Sequence, residues 1–169
     1  IGSIRNKGLE FSINAVPVQS PDLSVQLGFN GTFQNTIFTK LNPTEDENYY
    51  IETGNISKGT GGYLCRQMVG YAPYTYYTYR QKYYPDGNPV QNEFVDLDGD
   101  GTITENDRYM TGKSAAPKFY YGLNMKVTWR NWDFGLNGHG AAGTWVFNDF
   151  ASANSTASLD LNSGALPNQ

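Results

Sequence analysis

The sequence contains little of the chemistry that catalytic sites and thiolate metal sites require. Among its 169 residues there is one cysteine, Cys65, and one histidine, His139. A single cysteine excludes an internal disulfide and a cysteine-based metal cluster, and neither residue has a partner at the spacing of a nucleophile–base pair. We therefore predict that the protein is not an enzyme, that Cys65 is buried and that His139 has no catalytic role.

Long apolar runs and basic patches are absent as well. No run reaches the roughly 18 apolar residues that a membrane-spanning helix needs. A transmembrane β-barrel stays compatible with the sequence, because its strands are short alternating segments. Lysine and arginine are dispersed and the net charge is −4, which argues against nucleic acid as a partner.

What the chain does contain is glycine, tyrosine and segments in which apolar and polar residues alternate. The alternation predicts an all-β fold with two antiparallel hairpins, at 8–35 and 117–147, separated by a long loop at 36–116. Residues 148–169 are predicted to form the start of a further loop. Each of three predicted strands has one apolar face, formed by Leu9, Phe11, Ile13 and Ala15 in the first, by Leu23, Val25, Leu27, Phe29 and Phe33 in the second, and by Phe119, Tyr121, Leu123, Met125, Val127 and Trp129 in the third.

The length of these strands bears on whether they cross a membrane. A strand of about thirteen residues spans roughly 43 Å, or about 30 Å of bilayer thickness when it is tilted by about 45°. Trp129 and Trp132 flank a short turn, where an interfacial aromatic girdle would lie. The strand pattern alone is equally compatible with a soluble antiparallel sandwich. The alternation of short turns with one very long connection favours a barrel.

The run from Asp96 to Asp107 has the spacing of an EF-hand-type calcium loop, with Gly101 at the sixth position. We predict a Ca²⁺ site, with Mg²⁺ as the alternative ion, because aspartate at the twelfth position reaches less far than the usual glutamate. An acidic surface turn without an ion is the competing interpretation. The run lacks flanking helices, which favours a fixed clip over a sensor. The predicted ligands are Asp96, Asp98, Asp100, Thr102, Thr104 and Asp107.

Several short motifs, taken in order, resemble the SusC/RagA family of TonB-dependent outer-membrane transporters. They occur at 6–11, 69–73, 79–81, 86–89, 96–107, 112–122, 131–134 and 143–148. The resemblance implies about four strands of a 22-stranded antiparallel transmembrane β-barrel, from the late part of a much longer chain, with 36–116 as an extracellular loop. Four strands cannot close a barrel, so this segment alone is expected neither to transport nor to fold stably.

The resemblance also implies a function and partners. The family imports glycan oligosaccharides or peptides across the outer membrane, in contact with lipid. A SusD-like surface lipoprotein acts as its lid, and TonB–ExbB–ExbD supplies energy through an N-terminal region that this sequence does not contain. The alternative from the residues alone is a soluble, calcium-stabilised β module that binds carbohydrate.

Tyrosines are concentrated in the predicted extracellular loop, where seven of the thirteen lie between Tyr71 and Tyr84. Aromatic faces stack on sugars, and phenol groups form hydrogen bonds with hydroxyls or with a partner protein. The same residues also commonly pack a loop or an interface. The candidates for contact with substrate or lid are Tyr74, Tyr76, Tyr77, Tyr79, Arg80 and Gln81.

Overall fold

The computed structural model describes residues 2–42, 46, 48–56 and 62–150. These residues form ten β-strands and a three-residue 3-10 helix at Glu105–Asp107. No helix among them is long and apolar enough to cross a membrane. The strands are β1 (Ser3–Gln19), β2 (Leu23–Lys40), β3 (Tyr50–Asn55), β4 (Tyr63–Met68), β5 (Thr75–Tyr79), β6 (Gln81–Tyr83), β7 (Pro89–Phe94), β8 (Arg108–Ser114), β9 (Phe119–Trp129) and β10 (Trp132–Ala142).

The long strands form one antiparallel sheet in the order β1-β2-β9-β10. Strands β1 and β2 have 17 and 18 residues and extend beyond the predicted hairpin at 8–35. The backbone pairing of the two strands extends to Ser3 opposite Lys40, beyond the residues in which apolar and polar side chains alternate. Strand β10 ends at Ala142, before the predicted limit of 147. The next residue, Gly143, has a φ of 72° and turns the chain.

The predicted apolar face of this sheet carries cross-strand aromatic contacts. The rings of Phe33 and Phe119 stack with centroids 4.2 Å apart, and those of Phe11 and Phe29 lie 5.7 Å apart. Gly31 lies between these rings, and a Cβ there would come within 2.6 Å of Phe11. The face is nevertheless open, since Phe33 is 50% exposed. An apolar sheet face of this kind requires a covering phase or partner.

The region predicted as one long loop contains two smaller sheets. Strands β3, β4, β5 and β8 form an antiparallel sheet in that order, which we call the loop sheet, and β6 pairs with β7. The loop sheet is joined to the end of β2, because the N–H of Phe38 donates to the carbonyl of Tyr71 at 3.0 Å. Cys65 is buried in β4, as predicted, and burial raises the pKa of its thiol. His139 lies exposed on β10.

Candidate cation loop and aromatic cleft

The acidic run lies between β7 and β8 and is turned by its glycines. Gly99 and Gly101 have φ values of 78° and 85°. A residue with a Cβ adopts such a φ only at a cost in free energy. The N–H of Gly99 donates to Oδ1 of Asp96 at 2.6 Å, and the N–H of Gly101 donates to its Oδ2 at 2.8 Å. The first carboxylate of the run is therefore held inside a loop whose shape depends on glycine.

The last carboxylate of the run ties the two ends of the loop together. Asp107 is fully buried, and its Oδ1 accepts the N–H of Leu97 at 2.6 Å while Oδ2 accepts that of Thr104 at 2.8 Å. The N–H of Thr104 and then that of Leu97 hold the pKa of Asp107 below its ordinary value. The hydroxyl of Thr104 accepts the N–H of Asn106 at 3.2 Å and caps the 3-10 helix.

Three of the predicted ligands come together. Carboxylate oxygens of Asp96, Asp98 and Asp107 lie within 4.8 Å of one another. Asp100 is outside this group, and its Oδ1 accepts both the N–H and the hydroxyl of Thr102, each at 2.7 Å. Three carboxylates this close repel one another, and oxygen-only donors suit Ca²⁺ or Mg²⁺. The three converging carboxylates therefore fit a hard cation, while the predicted set of six ligands stays a prediction.

Tyr77 lies within a stack of aromatic and guanidinium groups in the loop sheet. The guanidinium of Arg66 lies 3.6 Å from the ring centroids of both Tyr50 and Tyr77, and that of Arg108 lies 4.5 Å from Tyr77. Glu52 pairs with Arg66 at 3.1 Å. We call Tyr50, Arg66, Tyr77 and Arg108 the arginine–tyrosine stack. Its contacts place Tyr77 inside the sheet, in a supporting position.

Gln81 also makes its contacts within the loop region. Its side-chain amide donates to the carbonyls of Val90 at 2.5 Å, Lys82 at 3.0 Å and Glu93 at 3.1 Å. These bonds link β6 to β7 and the residues beside them. The amide N–H groups of Gln81 therefore hold this hairpin, and its contact with substrate or lid stays a prediction.

Tyr74 occupies a turn that buried polar side chains fix. Its φ of 57° is unusual for a bulky residue. Its N–H donates to Oε1 of the buried Gln67 at 3.2 Å, and the hydroxyl of the buried Ser114 donates to the Pro73 carbonyl at 2.6 Å. The Tyr74 side chain itself is 53% exposed. The turn thus holds an exposed ring in a fixed place.

Two adjoining clefts lie against the loop sheet. One has a volume of about 350 Å³ and is lined by Tyr74 and Tyr76, among others. The other, which we call the aromatic cleft, has a volume of about 330 Å³. Tyr76 lines both, and its hydroxyl donates to the carbonyl of Trp145 at 2.8 Å. The aromatic cleft is lined by Leu64, Tyr76, Thr78, Tyr79, Arg80, Gln81, Tyr83, Tyr109, Thr111, Lys113, Trp145, Val146 and Phe147.

The aromatic cleft contains four of the six predicted contact residues and several that the sequence did not indicate. Lys113 and Trp145 contribute to its wall, with the Lys113 amine 4.2 Å from the Trp145 ring centroid. These two residues lie 32 positions apart, and local patterns carry no signal for such a pairing. The concentration of tyrosines indicated the region in which the aromatic cleft lies but did not distinguish supporting rings from cleft-lining ones.

Comparison with known proteins assigns the chain to a family. No family model matches it. Over 153 residues it is 39% identical to the TonB-dependent receptor SusC of Bacteroides thetaiotaomicron, which covers 90% of this chain and 15% of SusC. The chain belongs to the SusC/RagA family of TonB-dependent receptors. It is also 30% identical to the TonB-dependent receptor P3 of Formosa agariphila, over 94% of this chain and 18% of P3.

Solved structures show the same fold. The RagAB peptide transporter matches with a TM-score of 0.66 at 18% identity, over 90% of this chain and 17% of that one. The RagAB peptide importer in its closed-closed state matches with a TM-score of 0.67 over 94% of this chain. The predicted fold class, an antiparallel all-β segment of a TonB-dependent transporter barrel, is confirmed. The relatives are receptors and transporters, which agrees with the prediction that the protein is not an enzyme.

Proposed function

We propose that the chain acts within an outer-membrane importer of oligosaccharides or peptides, as part of its barrel wall and its extracellular loops. The observation that carries this proposal is the 39% identity to SusC over 90% of the chain. The sheet supports it, because strands of 17 and 18 residues are long enough to cross a bilayer at a tilt. Its open apolar face, with Leu9 at 64% exposure, suits contact with lipid.

The partners in this proposal are a SusD-like lipoprotein and the TonB–ExbB–ExbD system. The lipoprotein would cover the loop region on the outside of the cell, where Tyr74, Tyr83 and Tyr84 are each more than half exposed. Exposed tyrosines are frequent anchors in protein interfaces. The TonB system would supply the energy for import.

The test is made on the complete receptor. We expect the protein to fractionate with the outer membrane and to require detergent for extraction. Uptake of a labelled oligosaccharide or peptide should stop when TonB is deleted and resume when it is restored. Recovery of the complete protein as a freely soluble species, or uptake that does not depend on TonB, would overturn the proposal.

Within this importer, the acidic run is proposed to bind Ca²⁺, with Mg²⁺ as the alternative ion. Asp96, Asp98 and Asp107 would hold the cation, since their oxygens already converge. A bound cation would supply positive charge that offsets the repulsion among the three carboxylates. The ion would therefore fix the extracellular loop between β7 and β8, as a structural clip.

Two variants that remove the same charge from the same loop test this clip. Asp98→Asn changes a converging carboxylate, and Asp100→Asn changes one outside the group. We expect Asp98→Asn to weaken Ca²⁺ binding to the complete receptor at least about tenfold, and Asp100→Asn to weaken it about threefold or less. Binding is followed by ion content and by the rate of loop proteolysis. The proposal fails if chelation changes neither the ion content nor the rate of loop proteolysis.

A further inference from the structure

The aromatic cleft carries a local charge opposite to that of the chain. The net charge of the protein is −4, with 16 acidic and 12 basic residues. The charged residues that line this cleft are Arg80 and Lys113, and both are basic. The acidic residues of the run at 96–107 lie outside its wall. Such a contrast between a cleft and its surroundings favours an anionic ligand.

Both basic groups lie against aromatic rings. The Arg80 guanidinium lies 4.9 Å from the centroid of Tyr109, and the Lys113 amine lies 4.2 Å from that of Trp145. Both side chains are exposed. Among residues 2–42, 46, 48–56 and 62–150, the observed salt bridges involve Arg66 with Glu52 and Lys82 with Glu93. The positive charges of Arg80 and Lys113 are therefore not paired with Glu52 or Glu93, and their N–H groups can bind an anionic ligand.

Exposed rings accompany these cations. Trp145 is 52% exposed and Tyr83 is 64% exposed, and both line the cleft. A flat aromatic face binds the C–H face of a pyranose ring, while guanidinium and ammonium groups pair with a carboxylate. The volume of about 330 Å³ lies at the lower end of small-molecule sites. The cleft therefore combines a ring surface with two donors suited to an acid group.

We infer that the aromatic cleft is a binding subsite for an oligosaccharide that carries carboxylates, a uronic-acid oligomer in chemical terms. This inference rests on the proposed importer function and narrows its substrate class. Arg80 and Lys113 recognise the carboxylate, and Tyr83 and Trp145 contact the sugar ring. A neutral oligosaccharide of the same length has the ring contacts alone, so it binds more weakly.

The experiment uses the complete receptor with its lid protein in detergent, and calorimetry with trigalacturonate and with its carboxyl-reduced counterpart. We expect trigalacturonate to bind about tenfold or more tightly than the reduced oligomer. Arg80→Gln and Lys113→Gln should each weaken trigalacturonate binding about three- to tenfold and weaken binding of the reduced oligomer by a clearly smaller factor. Lys82→Gln is the matched control, because it removes a charge outside the cleft wall and should change neither affinity.

Four outcomes overturn the inference. These are undetectable binding of trigalacturonate, equal affinity for the two oligomers, variants that weaken both equally, and a Lys82→Gln effect as large as that of Arg80→Gln. Binding of a glutamate-rich peptide through Arg80, without trigalacturonate binding, would assign the cleft to peptides instead. TonB-dependent uptake of the neutral oligomer is measured in parallel. If that uptake persists without a preference for charge, the subsite is wrong and the importer stands, whereas loss of TonB dependence removes the importer itself.

Discussion

Replacing Tyr77 by leucine tests whether this ring supports the loop sheet or contacts a ligand. The ring centroid lies 3.6 Å from the guanidinium of Arg66 and 4.5 Å from that of Arg108. A cation–π contact contributes about 0.5–1 kcal/mol at exposed sites and about 2 kcal/mol where it is desolvated. The Arg66 side chain is 16% exposed, so its contact lies near the upper value. The two contacts together contribute about 2–3 kcal/mol.

A loss of this size raises the equilibrium constant for local opening of the loop sheet about 30- to 150-fold. Hydrogen exchange followed by mass spectrometry on the complete receptor measures it, through the peptides that cover β4 and β5. Protection in β9 and β10 should not change, because these strands belong to the other sheet. Tyr77→Phe is the matched control, since it removes only a hydroxyl that donates to the Glu105 carbonyl at 3.5 Å.

The control is expected to change exchange by no more than about threefold, because a hydrogen bond of that length contributes little. The reasoning is refuted if Tyr77→Leu leaves β4 and β5 as protected as in the unmodified protein. If the same variant then weakens binding of an oligosaccharide or of the lid protein, Tyr77 is a contact residue, as the sequence predicted.

Three further predictions concern the sheet and the acidic run. Gly8→Ala should destabilise the barrel by about 1–3 kcal/mol, because its Cβ would overlap the Phe33 carbonyl oxygen. The heat-induced shift in gel mobility measures this, with Gly135→Ala, which meets no atom within 4 Å, as the silent control. Gly101→Ala should speed loop proteolysis about tenfold, since a φ of 85° costs about 1–2 kcal/mol with a Cβ; equal rates would contradict this. Asp107 has a lowered pKa in the folded loop, so its stabilisation is complete above its ordinary pKa and is lost as pH falls through the folded pKa. The hydrogen-exchange rate of the loop, corrected for intrinsic rates, should increase as the pH falls through this range. In Asp107→Asn the corrected rate should not depend on pH there.

The long hairpins could be predicted because one chemical constraint dominates them. Apolar residues at every second position leave a single register that gathers the rings of Phe11, Phe29, Phe33 and Phe119 on one face. A slip by one residue would exchange the two faces. The family assignment came from the same region and from the order of the motifs between the strands, and identity to SusC confirms it.

The loop sheet could not be predicted because its strands are short and mixed in character. Strands β3 to β8 have three to seven residues each, and tyrosine and threonine occupy both faces of β5. The pairs that hold the sheet are distant in sequence, as with Arg108 and the carbonyls of Tyr63 and Tyr77. Local periodicity contains no information about such pairs.

The acidic run shows a different limit. Spacing predicted six ligands, but spacing does not reveal how the loop orients each carboxylate. Asp98 converges with Asp96 and Asp107, while the Asp100 carboxylate lies outside this group and accepts two donors from Thr102. Glycine positions were predictable, since the backbone turn at Gly101 requires a positive φ.

The strand β5 links the acidic run to the aromatic cleft. Tyr77 of this strand packs in the arginine–tyrosine stack, while its neighbour Tyr76 lies in the cleft wall. Arg108 of that stack directly follows Asp107, the buried carboxylate that closes the run. A change that loosens the acidic run therefore acts first on the Tyr77 face of β5 and reaches the cleft through the shared backbone. It follows that loss of the proposed cation should weaken ligand binding by disordering Tyr76, with no ligand contact to the run itself.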